Sequence, residues 1–132
     1  MNNKNNKVID YCGFKFLTDN SMASRMINNW YEKQEISLIE KIPNLENLVI
    51  LELGGCLGVV SVISNSKLNN KENHVVVEAN PNLMSYLNYN KKINDCHFKI
   101  ENTMISTTSD GVFYSFDKIV AGSAHRTDNK ER

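Results

Sequence analysis

The sequence predicts an α/β fold, a parallel sheet with helices on its faces. Three observations carry that prediction. The run Val49-Ile50-Leu51-Glu52-Leu53-Gly54-Gly55-Cys56-Leu57-Gly58-Val59-Val60-Ser61 reads as a buried strand, a glycine turn and the first turn of a helix. A second apolar run, His74-Val75-Val76-Val77, ends in Glu78. Between and after these runs lie stretches with helical spacing, so strands and helices alternate, as right-handed crossovers require.

Taken in order, residues before Val8 are polar and carry no turn signal, so they are expected to be disordered. A short extended piece is expected over Tyr11 to Leu17, and a loop over Asp19 to Arg25. Met26, Ile27, Trp30, Tyr31, Ile36, Leu38, Ile39 and Ile42 recur at threes and fours, which predicts one helix ended by Pro43 and Asn44. The first core strand covers about Leu48 to Leu53 and its helix runs from near Leu57 to Ser66. The second strand covers His74 to Glu78. Asn80 then caps a helix with Pro81 at its first position, a favoured arrangement. A third strand is expected over Cys96 to Glu101. Ser109-Asp110-Gly111 is a turn signal, and Val112 to Phe116 alternates as a hairpin strand does, with a weaker partner over Lys118 to Gly122. The organisation expected is an amino-terminal extension over 1–25, one domain over 26–122, and a polar tail over 123–132.

Composition narrows the function. With 132 residues the chain suits a single domain. Lys plus Arg and Asp plus Glu number fifteen each, so no net field draws nucleic acid or an acidic membrane. No apolar stretch approaches the roughly 20 residues of a membrane span, and the polar amino terminus lacks the core of a secretory signal. A cytoplasmic location is therefore expected. The three cysteines are widely separated and the three histidines lack ligand spacing, so neither a disulfide framework nor a metal site is expected.

The chemistry is concentrated in two places. Gly54, Gly55 and Gly58 would let a ligand approach the backbone closely. Glu52, at the end of the first core strand, suits a ligand's ammonium group. Glu78, at the tip of the second, has lone pairs enough to accept from both hydroxyls of a ribose. An amino group at one end and a ribose at the other describe S-adenosylmethionine better than a dinucleotide. The spacing Glu-x-Gly-x-x-x-Gly also breaks the dinucleotide fingerprint, because Cys56 stands where that fingerprint has glycine.

These residues resemble class I methyltransferases, and among them the FkbM family. The similar segments are Leu51 to Ser61, Val77-Glu78-Ala79-Asn80-Pro81, Tyr89-Asn90, Glu101 to Ser106, the glycine turn with Val112-Phe113-Tyr114, and upstream Tyr31-Glu32 and Glu35-Ile36. The resemblance spans roughly Trp30 to Arg126. It implies a Rossmann-like fold, here an incomplete one with a carboxy-terminal hairpin. It also implies methyl transfer from S-adenosylmethionine to a hydroxyl of a sugar, glycolipid or other small-molecule or glycan acceptor. By position, Glu52, Gly54 and Gly58 would hold the methionine end, Glu78 the ribose, and Ala79 and Asn102 would lie near the adenine, with Gly55 and Cys56 also in the cofactor-binding set. Cys56 departs from the family's usual Asn. The family's fourth strand and those after it have no counterpart here, so a fragment or a short form that borrows a partner is expected. The first core strand then has an open edge for a second copy or another subunit. No catalytic base can be assigned. Two further readings stand beside this one: a catalytically inactive module that binds an adenosine-type ligand or pairs with another subunit, and a nicotinamide-dependent oxidoreductase.

Overall fold

The computed structural model describes residues 5–115 and the strand 122–123. The chain opens with a hairpin, β1 (Lys7–Tyr11) and β2 (Phe14–Thr18), paired antiparallel from Lys7 opposite Thr18 to Tyr11 opposite Phe14. Its two-residue turn, Cys12-Gly13, has φ of 52° and 83°, the left-handed pair that matches strand twist. Where the sequence predicts one extended piece there are thus two strands, and the first begins at Lys7. Phe16, Met22 and Met26 are buried in the same core as the residues of the central sheet's helices.

Helix α1 (Asn20–Ile27) is capped by Asp19, whose carboxylate accepts from the Met22 N–H at 2.9 Å. Helix α2 covers Lys33–Ile39. Asn20 to Arg25, expected as a loop, is helical, and the single helix expected over Met26 to Ile42 is interrupted: Met26 and Ile27 end α1, and Lys33–Ile39 form α2. Asn29 and Glu32 both take positive φ, 55° and 50°, which no continuous helix tolerates. Apolar spacing alone does not register such a break.

The central unit follows the predicted alternation: β3 (Ile50–Leu53), α3 (Val59–Lys67), β4 (His74–Val77), a single 3₁₀ turn at Pro81–Leu83 running into α4 (Met84–Ile93), and β5 (Lys99–Glu101). The three strands form a parallel sheet in the order β3-β4-β5, with Ile50 opposite His74 and Val75 opposite Lys99. The Asn80 side chain accepts from the Asn82 N–H, so the predicted cap is present. Two short strands, β6 (Tyr114–Ser115) and β7 (Gly122–Ser123), pair antiparallel. Tyr114 lies opposite Ser123 and Ser115 opposite Gly122, within and beside the strands expected over Val112 to Phe116 and Lys118 to Gly122; residues 116–121 lie outside the described residues. The polar tail beyond Ser123 lies outside the described residues.

Alternation sorts the sheet into two faces. Ile50, Glu52, His74, Val76 and Phe98 face the helices. Val76, Leu87, Val59, Val62 and Phe98 form the centre of the core there. Leu51, Leu53, Val75 and Val77 face the other way. Buried amides tie the layers together. Asn90 on α4 accepts from the Leu17 N–H at 2.6 Å and donates to the carbonyls of Leu17 at 3.1 Å and Leu57 at 2.8 Å. One side chain thus joins the hairpin to the loop after β3. Asn65 on α3 donates to Lys71 O and accepts from the His97 N–H, closing the approaches to β4 and β5. Among the described residues no helix is long and apolar enough to cross a membrane.

Candidate functional site

The parallel strands all point their carboxyl ends at one cavity of about 470 Å³. A crevice at that end of an open α/β sheet is where this class of fold binds ligands, and the volume falls in the range of small-molecule sites. Three loops build it. The loop after β3 gives Gly54 and Cys56, the turn after β4 gives Glu78, Ala79 and Asn80, and the segment after β5 gives Thr103 and Ile105. Leu53, Val77, Leu83 and Phe113 complete an apolar wall.

The loop after β3 is set by backbone geometry. Gly54 and Gly55 both donate to the Val77 carbonyl, at 2.8 and 3.2 Å, which pins the loop to the end of β4. Gly54 has φ of 87°, and a Cβ there would meet nothing within 4 Å, so it presents open backbone to the cavity. Gly55 and Gly58 do something else. A Cβ on Gly55 would run into Val76, and one on Gly58 would stand 2.7 Å from Leu87 Cδ1. Those two glycines let the loop settle onto the core and do not line the cavity.

Glu78 joins the two halves of the site. Its carboxylate accepts from the Cys56 N–H at 2.8 Å and from the Asn80 N–H at 2.7 Å, and the residue is 8% exposed. The two amide donors fix the position of the carboxylate. Each oxygen keeps a lone pair for a further donor. Asn102 supports this turn from beneath by donating to the carbonyls of Glu78 and Ala79, at 2.7 and 3.3 Å. It stands behind the lining rather than in it.

Glu52 is the residue that the structure moves. It does not line the cavity. Its carboxylate turns to the helical face, accepting from the Ser61 hydroxyl at 2.8 Å and bonding His74 Nε2 at 3.0 Å. The reason is strand phase: Glu52 lies opposite Val76, whose side chain also faces the helices. The Asn65 amide approaches His74 Nδ1 at 3.4 Å, which assigns the ring proton to Nε2 and makes His74 the donor to Glu52. Glu52 is thus the anchor of a buried polar network, and the expectation that it receives an ammonium group is not supported by this placement.

Behind Cys56 lies a second group of ionisable side chains. The Tyr31 hydroxyl donates to Cys56 Sγ at 3.4 Å, and the Tyr11 hydroxyl donates to the Tyr31 carbonyl at 2.6 Å. Burial, opposed by the Tyr31 hydrogen bond and reinforced by Glu32, pushes the Cys56 thiol up to about 11. It stays a thiol at neutral pH and is no nucleophile. Burial also raises the Glu32 carboxyl to about 7, against the pull of Tyr31 and with a further push from Glu52.

Of the residues singled out in the sequence, Gly54, Cys56, Glu78 and Ala79 meet at the cavity. Gly55, Gly58 and Asn102 shape it from behind, and Glu52 is elsewhere. Leu53, Val77, Ile105 and Phe113 share no spacing that marks an apolar wall; they lie within the segments that carry the resemblance, which assigns them no lining role. Nothing matches this chain among protein-family models, curated proteins or solved structures.

Proposed function

We propose that the cavity binds the adenosine part of S-adenosylmethionine and that the chain is the cofactor-binding part of a methyltransferase of FkbM type, acting on a hydroxyl of a sugar, glycolipid or similar small acceptor. The observation that carries this reading is the Glu78 carboxylate, held by the Cys56 and Asn80 amides at the mouth of the glycine loop. A carboxylate fixed there suits the two hydroxyls of a ribose, and the apolar wall of Leu53, Val77, Ile105 and Phe113 suits a purine face. The residues fit the nucleoside end of the cofactor. They fit the methionine end less well, since Glu52 is committed to Ser61 and His74.

The bound cofactor would supply an electrophilic methyl group. This chain's own contribution is to hold and orient the nucleoside, which is the larger part of what such a transfer needs. A base for the acceptor's proton is a separate matter. Among the described lining residues, Glu78 is the only carboxylate and the Cys56 thiol is protonated. That favours the second reading in part: a binding module whose acceptor chemistry comes from another chain or segment.

Calorimetric titration separates these readings from nicotinamide chemistry. S-adenosylhomocysteine is expected to bind with a stoichiometry of one, and NAD far more weakly. Binding of NAD in preference to S-adenosylhomocysteine would overturn the assignment. Methyl transfer by the chain alone would decide between catalyst and module.

A further inference from the structure

A second carboxylate stands by Cys56. The Cys56 N–H donates to Glu78 at 2.8 Å, and the Cys56 thiol accepts from the Tyr31 hydroxyl at 3.4 Å. That hydroxyl also lies against the Glu32 carboxylate. Cys56, which lines the cavity, thus has one acid on its amide and another beside its thiol. Glu32 is no ordinary surface acid. Its backbone is left-handed, with φ of 50° and ψ of 28°, and such outliers outside Gly, Asn and Asp gather at ligand sites. The turn it makes brings α2 against α3. Its side chain is partly buried, with the Tyr31 hydroxyl and the Val60 amide beside it and the Glu52 and Glu35 carboxylates facing it. Among the described residues the ion pairs are Lys15–Asp10, His74–Glu52, His97–Asp95 and Lys99–Glu101, and Glu32 is in none of them. A partly desolvated carboxylate that faces two others stays unfavourable until a cation reaches it.

We propose that Glu32 receives the ammonium group of the ligand whose ribose Glu78 holds. The inference rests on the cavity's taking S-adenosylmethionine or S-adenosylhomocysteine. It fills the place that Glu52 leaves by turning to Ser61 and His74. The ribose sits at Glu78, the sulfur passes over Cys56, and the amino group ends at Glu32. Docking of the ammonium supplies the missing positive charge and relieves the repulsion of Glu32 by Glu52 and Glu35. Tyr31 keeps the acid in place from the Cys56 side. The assignment carries a pH dependence. Burial raises the Glu32 carboxyl to about 7, against Tyr31 and the Val60 amide and with a further push from Glu52 and Glu35. Near neutral pH the free protein therefore holds it part protonated. The ammonium selects the ionised form, so affinity is full above that value and is lost as pH falls through it. Cys56 also adjoins Glu32, and His74 reaches it only through Glu52.

The experiment is calorimetric titration of the full chain, wild type and Glu32→Gln, at about pH 8 and about pH 6. Two ligands are compared: S-adenosylhomocysteine and its des-amino analogue, which keeps the nucleoside, the thioether and the carboxylate. At the higher pH, wild type is expected to bind S-adenosylhomocysteine about tenfold or more tighter than the analogue. Glu32→Gln removes that preference and leaves the analogue's affinity unchanged. The lower pH weakens S-adenosylhomocysteine binding to wild type by about tenfold. Glu32→Gln, which still has Glu52, Glu35 and His74, shows no such loss. Equal affinity of wild type for the two ligands overturns the proposal, and that result needs no variant to fold. So does an equal loss of both ligands in Glu32→Gln, the behaviour of an acid that only caps α3. If wild type binds neither ligand, the cavity assignment itself fails and this one with it; if it binds both alike, only the role of Glu32 fails.

Discussion

Replacing Asn90 with Leu is expected to cost about 3–6 kcal/mol of unfolding free energy. Leu keeps the branching at Cγ but is bulkier, so some overpacking adds to the polar loss. What changes is that the Leu17 N–H, the Leu17 carbonyl and the Leu57 carbonyl lose their shared partner at once. A buried group so orphaned costs about 1–3 kcal/mol, with the part-buried Leu17 pair towards the lower end, and a domain of this size has roughly 5–15 kcal/mol in all. Urea unfolding should show a midpoint shifted far down, with hydrogen exchange at the hairpin and the β3–α3 loop accelerated together. Asn88→Ala is the control. Its amide reaches only the Met84 carbonyl on an exposed helix face, and its loss should be nearly silent. An Asn90→Leu variant within about 1 kcal/mol of wild type would mean that the hairpin is not held through this side chain.

The second large effect is at Gly58. Substitution by Val meets two independent obstacles. The residue has φ of 87°, a conformation that costs a β-branched side chain about 1–2 kcal/mol or more. Its new Cβ would also stand 2.7 Å from Leu87 Cδ1, and overpacking of that kind costs about 1–3 kcal/mol. The expected sum is about 3–4 kcal/mol. A double-mutant cycle separates the parts. With Leu87→Ala in place, the steric part of Gly58→Ala should be relieved and the two substitutions should couple by about 1 kcal/mol, while the backbone part persists. Strict additivity would show that the loop does not rest on Leu87.

Both positions hold the loop after β3, Asn90 through the Leu57 carbonyl and Gly58 by its place in that loop, and they show which parts of the molecule the sequence discloses. The strands β3 and β4 are legible because buried parallel strands are continuous apolar runs, and the start of the third core helix because Asn80 and Pro81 have local physical reasons to stand where they do. The hairpin at the amino terminus is not, since Cys12-Gly13 is an uncommon turn pair and the flanking strands mix charge with apolar residues. The break between α1 and α2 rests on the positive φ of Asn29 and Glu32, which leaves no mark on apolar spacing.

The site divides in the same way. Gly54, Cys56, Glu78 and Ala79 are visible because they sit where strand ends meet turns. The role of Gly55 and Gly58 was visible only as a glycine requirement; that it serves packing against Val76 and Leu87 depends on tertiary contacts. Glu52 illustrates the hardest case. A carboxylate at a strand end faces either the ligand or the helices, and strand phase chooses between them. Here it chose Ser61 and His74, a partner set twenty-two residues apart in its longer leg.

The central claim is that Glu78 is the ligand's anchor as well as the latch of the loop, and one comparison tests it most directly. Glu78→Gln keeps the shape and one acceptor oxygen but removes the charge and the second acceptor. The affinity for S-adenosylhomocysteine is predicted to fall by about tenfold or more, as expected for losing a charge-assisted pair of hydrogen bonds, with the fold retained by circular dichroism. Equal affinity of wild type and Glu78→Gln would contradict the account.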